Sequence, residues 1–73
     1  MEKSLEEIVF VVEEAPEGGL VAKALGVSII TEADDLQALR RQVIDAVRCH
    51  FPDAAQSPRL IRLHLVKDEV LAP

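Results

Sequence analysis

One amphipathic segment, from Asp34 to Phe51, most constrains what this chain can fold into. Its packing positions recur at steps of three and four residues: Leu36, Leu39, Val43, Ala46, Val47 and His50, with Ile44 and Phe51 widening the stripe. This spacing is typical of an α-helix that lays one broad apolar face on a neighbouring layer. No other stretch of the sequence has this period, so a single helix has to pack against β-structure.

Four other apolar stretches have the composition of β-strands. Alternation and β-branched content predict strands over about residues 7–14, 19–25, 28–31 and 59–66, with the helix over about 34–51. Gly18 and Gly19 follow Pro16 in the first loop, a combination that favours a tight hairpin. The elements run strand, strand, strand, helix, strand within one predicted domain, residues 1–73.

The ends of the helix have recognisable signals. Asp34 is followed three residues later by Gln37, which resembles a capping box, and Thr31 is a competing cap. Pro52 cannot continue the hydrogen-bond ladder, so the helix should stop before it.

The connections predict an α+β fold, with one helix on a four-stranded mixed sheet of strand order 3-2-1-4. Short loops join the first three strands as an antiparallel meander. The helix then carries the chain across the sheet in a right-handed crossover, so that the fourth strand lies parallel to the first. One helix can cover only one face of such a sheet.

Side chains that alternate away from the helix form the opposite face: apolar ones from the set Val9, Val11, Val21 and Leu25, together with Arg62 and His64. An uncovered apolar face usually marks an interface. We take Val9, Val11, Arg62 and His64 as its candidate residues. A homodimer built through this face is expected, because a 73-residue chain without disulfides lies near the lower size limit for independent stability.

Charge narrows the class of partner. Thirteen acidic residues against eight lysines and arginines give a net charge of -5, which disfavours direct binding to nucleic acid or to an anionic membrane. A basic protein is the natural complement. Glu13, Glu14 and Glu17 around the hairpin form a candidate acidic partner-binding loop; the alternative is a solvated turn with no partner.

The sequence also predicts where the protein works. We find neither a signal peptide nor an apolar run of membrane-spanning length, and Cys49 is the one cysteine; together these favour the cytoplasm. Abundant charged residues and the absence of asparagine favour a heat-adapted source.

No catalytic, cofactor-binding or metal-binding residues are predicted. A nuclease would need clustered carboxylates to hold metal ions, and Asp45 stands alone on the helix. Cys49 and His50 are adjacent and point about 100° apart, so they cannot easily share an ion with His64. We expect Cys49 to be a partly buried packing residue and His50 to end the apolar stripe.

The order of elements carries a family pattern. Its parts are Gly18-Gly19 opening the second strand, Ala24-Leu25-Gly26 closing it, the acidic helix entry Glu32-Ala33-Asp34-Asp35-Leu36, and then Leu39, Val43, Ala46 and Val47. Over residues 8–66 this pattern resembles the HicB-like antitoxin family, in particular its short single-domain members without the DNA-binding domain.

The resemblance implies a partial RNase H-like fold in a dimer. It further implies a non-enzymatic protein-binding module that masks a small basic HicA-type toxin, a ribonuclease that cleaves mRNA. The alternative function is an orphan dimer that associates with itself and has a structural or regulatory role.

Overall fold

A computed structural model describes residues 6–73 of the chain. Within them the elements are β1 (Glu7–Glu14), β2 (Leu20–Ala24), β3 (Ile30–Ala33), α1 (Leu36–His50), a short 3-10 turn (Ala54–Gln56) and β4 (Leu60–Leu65). The sequence predicts all of these except the 3-10 turn.

The four described strands form one sheet in the order β3-β2-β1-β4. β1 and β2 are antiparallel, β2 and β3 are antiparallel, and β4 lies parallel to β1. Phe10 at the middle of β1 is flanked by Ala24 on β2 and Leu63 on β4. The predicted α+β fold and its strand order are confirmed.

The core lies between β1 and α1. Ile8, Phe10 and Val12 alternate onto the helix side of β1 and are fully buried. They form one cluster with the buried residues of the helix stripe: Leu39, Val43 and Val47. Ala22 on β2 is also fully buried, and its small side chain lets the helix approach the sheet closely. The cluster contains only aliphatic side chains around one aromatic ring.

The third strand lies later in the chain than predicted. It spans Ile30–Ala33 instead of about residues 28–31. Gly26 adopts a positive φ of 79°, and the turn that follows closes when the Ala24 N–H donates to the Ile29 carbonyl at 2.9 Å. Residues 27–29 therefore belong to the turn, and pairing with β2 begins only at Ile30.

The helix cap also differs from the prediction. Asp35, and neither Asp34 nor Thr31, caps α1: its carboxylate accepts a hydrogen bond from the Ala38 N–H at 2.8 Å. Because β3 continues to Ala33, the helix starts one residue later than a cap at Asp34 would allow. At the other end the Phe51 N–H donates to the Val47 carbonyl, and Pro52 follows as predicted.

Val43 tests the register of the helix on the sheet. Its side chain is 1% exposed, so Val43→Asp would bury an unpaired charge, which costs about 3 to 5 kcal/mol in comparable sites. In urea unfolding we expect the variant to be largely unfolded before denaturant is added. Gln42→Asp, one position along on the exposed side, is the control and should stay within about 1 kcal/mol of the parent. Equal midpoints for the two variants would show that the register is wrong.

Gly19 tests the approach of the first hairpin to β3. It has a φ of 84°, and an added Cβ would lie 2.9 Å from the Ala33 carbonyl oxygen. Gly26 has nearly the same φ but open space around it, so it controls for backbone strain alone. We expect Gly19→Ala to destabilise the fold by at least about 1 kcal/mol more than Gly26→Ala, measured by urea unfolding. If both variants lost the same free energy of unfolding, the close approach of Gly19 to Ala33 would not contribute to the loss.

Candidate protein-binding face

The side of the sheet that faces away from α1 is the candidate site, and we call it the open face. It arises from strand alternation: with Ile8, Phe10 and Val12 turned toward the helix, Val9 and Val11 have to point the other way. The neighbouring strands contribute in register, and the open face comprises Glu7, Val9, Val11, Glu13, Val21, Lys23, Leu25, Ile30, Glu32, Leu60, Arg62 and His64.

The structure brings the four candidate interface residues together. In the parallel pairing of β1 with β4, Val9 lies beside Arg62 and Val11 lies beside His64. Each valine therefore has a cationic or titratable neighbour one strand away. The four side chains form a patch that spans β1 and the edge strand β4.

An apolar centre with an exposed apolar border occupies this face. Val9, Val11 and Val21 are half-buried by their neighbours on the sheet. Around them lie Leu25 just after β2, Ile30 on β3 and Leu60 at the start of β4, which are 59%, 69% and 61% exposed respectively. Isolated exposed leucines are ordinary, but several around a valine centre form a surface suited to a protein partner.

The charges on the open face are arranged by sign. Glu7 forms an ion pair with Arg62 across β1 and β4. Lys23 lies between Val11 and Ile30 in the same row of the sheet. At the hairpin end of the open face the charged side chains are acidic instead of basic.

At that end Glu13 and Glu32 flank Val21 on its two sides. The open face thus has a basic middle and an acidic end, both next to apolar side chains. A complementary partner would have to match both signs, which limits the orientations in which it can dock.

Only part of the predicted acidic loop belongs to the open face. Glu13 and Glu14 are consecutive in β1, so they point to opposite sides of the sheet, and only Glu13 belongs to the open face. Glu17 lies in the turn, which is closed by the Gly18 N–H donating to the Ala15 carbonyl at 3.0 Å. All three carboxylates are exposed.

Cys49, predicted to be partly buried, is exposed. His50 is exposed as well, and its ring meets the Phe51 ring edge-on with centroids 4.8 Å apart. Cys49 and His50 are the last two residues of α1, on the covered side of the sheet. His64 lies on the open face beside Val11. The sheet therefore separates His64 from the Cys49-His50 pair.

Residues 6–73 contain no group of three or more histidine, cysteine, aspartate or glutamate side chains placed to hold a metal ion. Asp45 is exposed on the outer side of α1. None of the polar or charged side chains in the same range is buried. Nor does any helix within it have the length and apolar character needed to cross a membrane.

Two residues of the open face were not among the predicted interface residues. Ile30 and Glu32 belong to β3 and point away from the helix, because Ile30 pairs with Lys23 and Glu32 pairs with Val21. The predicted third strand ended at residue 31, so Glu32 lay outside it, and Ile30 lay inside it without being assigned to a face. The alternation of Ile30, Thr31, Glu32 and Ala33 is the signal that would have found them.

Two known proteins are similar to the chain over most of its length. A UPF0150 protein of Thermotoga maritima is 38% identical over 66 residues, which cover 90% of this chain and 91% of the relative. A UPF0150 protein of Archaeoglobus fulgidus is 41% identical over 58 residues, or 80% of this chain and 85% of the relative. Both organisms are thermophiles. No protein-family model and no solved structure matches the chain.

The Glu7–Arg62 ion pair tests whether Arg62 is free to serve a partner. The two side chains are 32% and 64% exposed, so solvent screens the pair and its coupling energy should be below about 1 kcal/mol. A double-mutant cycle of Glu7→Gln and Arg62→Gln in urea unfolding measures it. A coupling well above that limit would make Arg62 a structural residue of the β1–β4 pairing.

Proposed function

The chain belongs to the family of UPF0150 proteins, and we propose that within it the chain acts as a HicB-like antitoxin. Its role would be that of a non-enzymatic protein-binding module. The partner it would mask is a small basic HicA-type toxin that cleaves mRNA. The observation that carries this proposal is the open face, an apolar sheet surface that the helix leaves bare.

The open face supports a protein partner of some size. Its half-buried centre, Val9, Val11 and Val21, is bordered by exposed leucine and isoleucine side chains. Burying such a surface removes apolar area from water, which stabilises a complex by roughly 25 cal/mol for each Å² of apolar area buried. A small ligand would not cover a face that extends over four strands, whereas a folded partner would.

The charge of the chain supports a basic partner. With a net charge of -5, the protein attracts a basic protein from a distance and repels RNA, the partner's substrate. Glu13 and Glu32 at the acidic end of the open face are placed to meet lysines or arginines around such a partner's own apolar centre. These same basic residues would otherwise bind RNA phosphates.

The proposed mechanism is occlusion. By covering the basic surface of the toxin, the antitoxin would deny the RNA access to it, and no bond would be made or broken by this chain. The mechanism requires only that the open face stay rigid, which the packing of α1 on its reverse side provides. It places the protein in the cytoplasm, together with mRNA.

A second candidate function is self-association, a structural or regulatory dimer without a toxin. The observation that favours it is the presence of both charge signs on one face: Lys23 and Arg62 near the middle, Glu13 and Glu32 at one end. A two-fold axis lying in the plane of the interface, across the strands, would bring two open faces together and set the acidic end of one copy against the basic middle of the other. Val9 and Val11 would then be buried by a second copy.

Co-expression with the product of the adjacent open reading frame tests the antitoxin function, which requires that product to be a small basic protein. We expect the parent chain to co-purify with that protein, to restore growth and to stop cleavage of added mRNA. Ile30→Asp and Leu60→Asp place charges on exposed positions of the open face, so the fold is retained while docking is weakened by about tenfold or more.

Gln42→Asp, on the outer side of α1, is the matched control and should protect as well as the parent. Protection by the two open-face variants equal to that of the control would reject the open face as the binding site. A neighbouring basic protein that does not co-purify, with the open-face variants instead dissociating a homodimer in sedimentation equilibrium, would favour self-association.

A further inference from the structure

A second apolar surface lies on the helix side of the sheet, between α1 and β4. α1 approaches β2 and β3 more closely than it approaches β4, and Ile61 and Leu63 on β4 are only partly buried. The resulting groove has a volume of about 230 Å³ and is lined by Arg40, Val43, Ile44, Ile61 and Leu63. It has room for one branched aliphatic side chain, since cavities of about 150 Å³ hold a benzene molecule.

The groove adjoins an unpaired strand edge. β4 is the last strand of the sheet on its side, and within residues 6–73 no strand lies beyond it. Its outer N–H and C=O groups are therefore available to an added strand. A strand that paired there would carry every second side chain over the groove.

The segment that follows β4 has the properties of such a strand. Residues 67–73 follow β4 without regular secondary structure, and Val70 is 91% exposed and Leu71 is 78% exposed. In its own copy the segment starts beside acidic residues, because Asp68 lines one cleft with Glu13 and Glu14. Like charges at this point disfavour a close return to the same copy.

The spacing of the segment matches that of the groove. Glu69 and Leu71, two residues apart in an extended chain, lie on one side about 6.6 Å apart. Arg40 and Ile44, one helical turn apart, are separated by about 6 Å along α1. Leu71 can therefore lie against Ile44 while Glu69 meets Arg40, which has no ion-pair partner within the described part of the chain.

The directions agree as well. β3 and β4 both run parallel to β1, so the helix that joins them runs back across the sheet, antiparallel to β4. A segment that follows Arg40 to Ile44 is then antiparallel to β4. In an antiparallel pair each step forward along one strand is a step back along the other, so the two residue numbers of every pair add up to the same value. If Leu71 lies beside Ile61, Glu69 therefore lies beside Leu63, and Val66 lies opposite Val66 of the second copy.

We propose that residues 67–73 of one copy pair with the outer edge of β4 of a second copy and insert Leu71 into its groove. The two-fold axis passes through Val66, so both grooves are filled by one reciprocal exchange and the assembly closes as a dimer. Glu69 pairs with Arg40 across the interface. The open face is not used and stays available for a partner.

Disulfide trapping at the axis tests this arrangement in the full chain. In a Cys49→Ser background, Val66→Cys places two thiols opposite each other, within the separation that a disulfide requires. In a glutathione redox buffer we expect a cross-linked dimer at micromolar protein. Leu25→Cys is the control, because Leu25 on the open face is 59% exposed, more than Val66 at 37%. Cross-linking of the Val66→Cys chain no greater than that of the control would overturn the proposal.

Variants at two neighbouring positions of residues 67–73 test whether Leu71 itself enters the groove or whether the segment only touches the second copy. Leu71→Asp should lower the trapped fraction and weaken the dimer about tenfold in sedimentation equilibrium, whereas Val70→Asp, on the other side of the same strand, should change both much less. Arg40→Glu should weaken the dimer, and adding Glu69→Arg to it should restore the affinity. Equal effects of the two aspartates, or no restoration by the second charge reversal, would reject the register.

Discussion

The packing of one helical stripe on one side of β1 is the contact on which the rest of the structure depends. Phe10 lies at its centre, between Ala24 and Leu63 on the adjacent strands, and Leu39, Val43 and Val47 close over it. Residues 6–73 contain no second cluster of buried residues that could compensate for its loss. The hairpin, the turn after Gly26 and the crossover all serve to hold these side chains in register.

The same contact explains why the molecule has two unfinished surfaces. A single helix 15 residues long covers β2, β3 and the helix side of β1, and it can reach neither the reverse of the sheet nor the whole of β4. The reverse becomes the open face, with mixed charges around valines. The uncovered part of β4 becomes the groove beside Ile44. Binding surfaces arise here from incomplete coverage, and no dedicated loop builds them.

The unique helix stripe, the short loops and the alternation in β4 were enough to predict the strand order and the side of β4 that the helix covers. β1 is apolar at every position from Ile8 to Val12, so its own sequence does not indicate which side is covered. Periodicity failed where local turn geometry decides. Gly26 has a positive φ, and the turn it starts includes residues that have strand composition. As a result β3 and the helix cap lie later in the chain than predicted, and Glu32 was left outside the predicted strand. The exposure of Cys49 depends on the rotation of the last helical turn, which a stripe as broad as this one does not define.

The parallel pairing of β1 with β4 also governs when the fold can form. Ile8 pairs with Ile61, and these residues are 61 − 8 = 53 positions apart, so the pairing is non-local and its loop closure is slow. During synthesis the first three strands and α1 leave the ribosome before β4 does. For that interval one edge of β1, the most apolar strand, has no neighbour, and the nascent chain depends on rapid completion to avoid pairing with other chains.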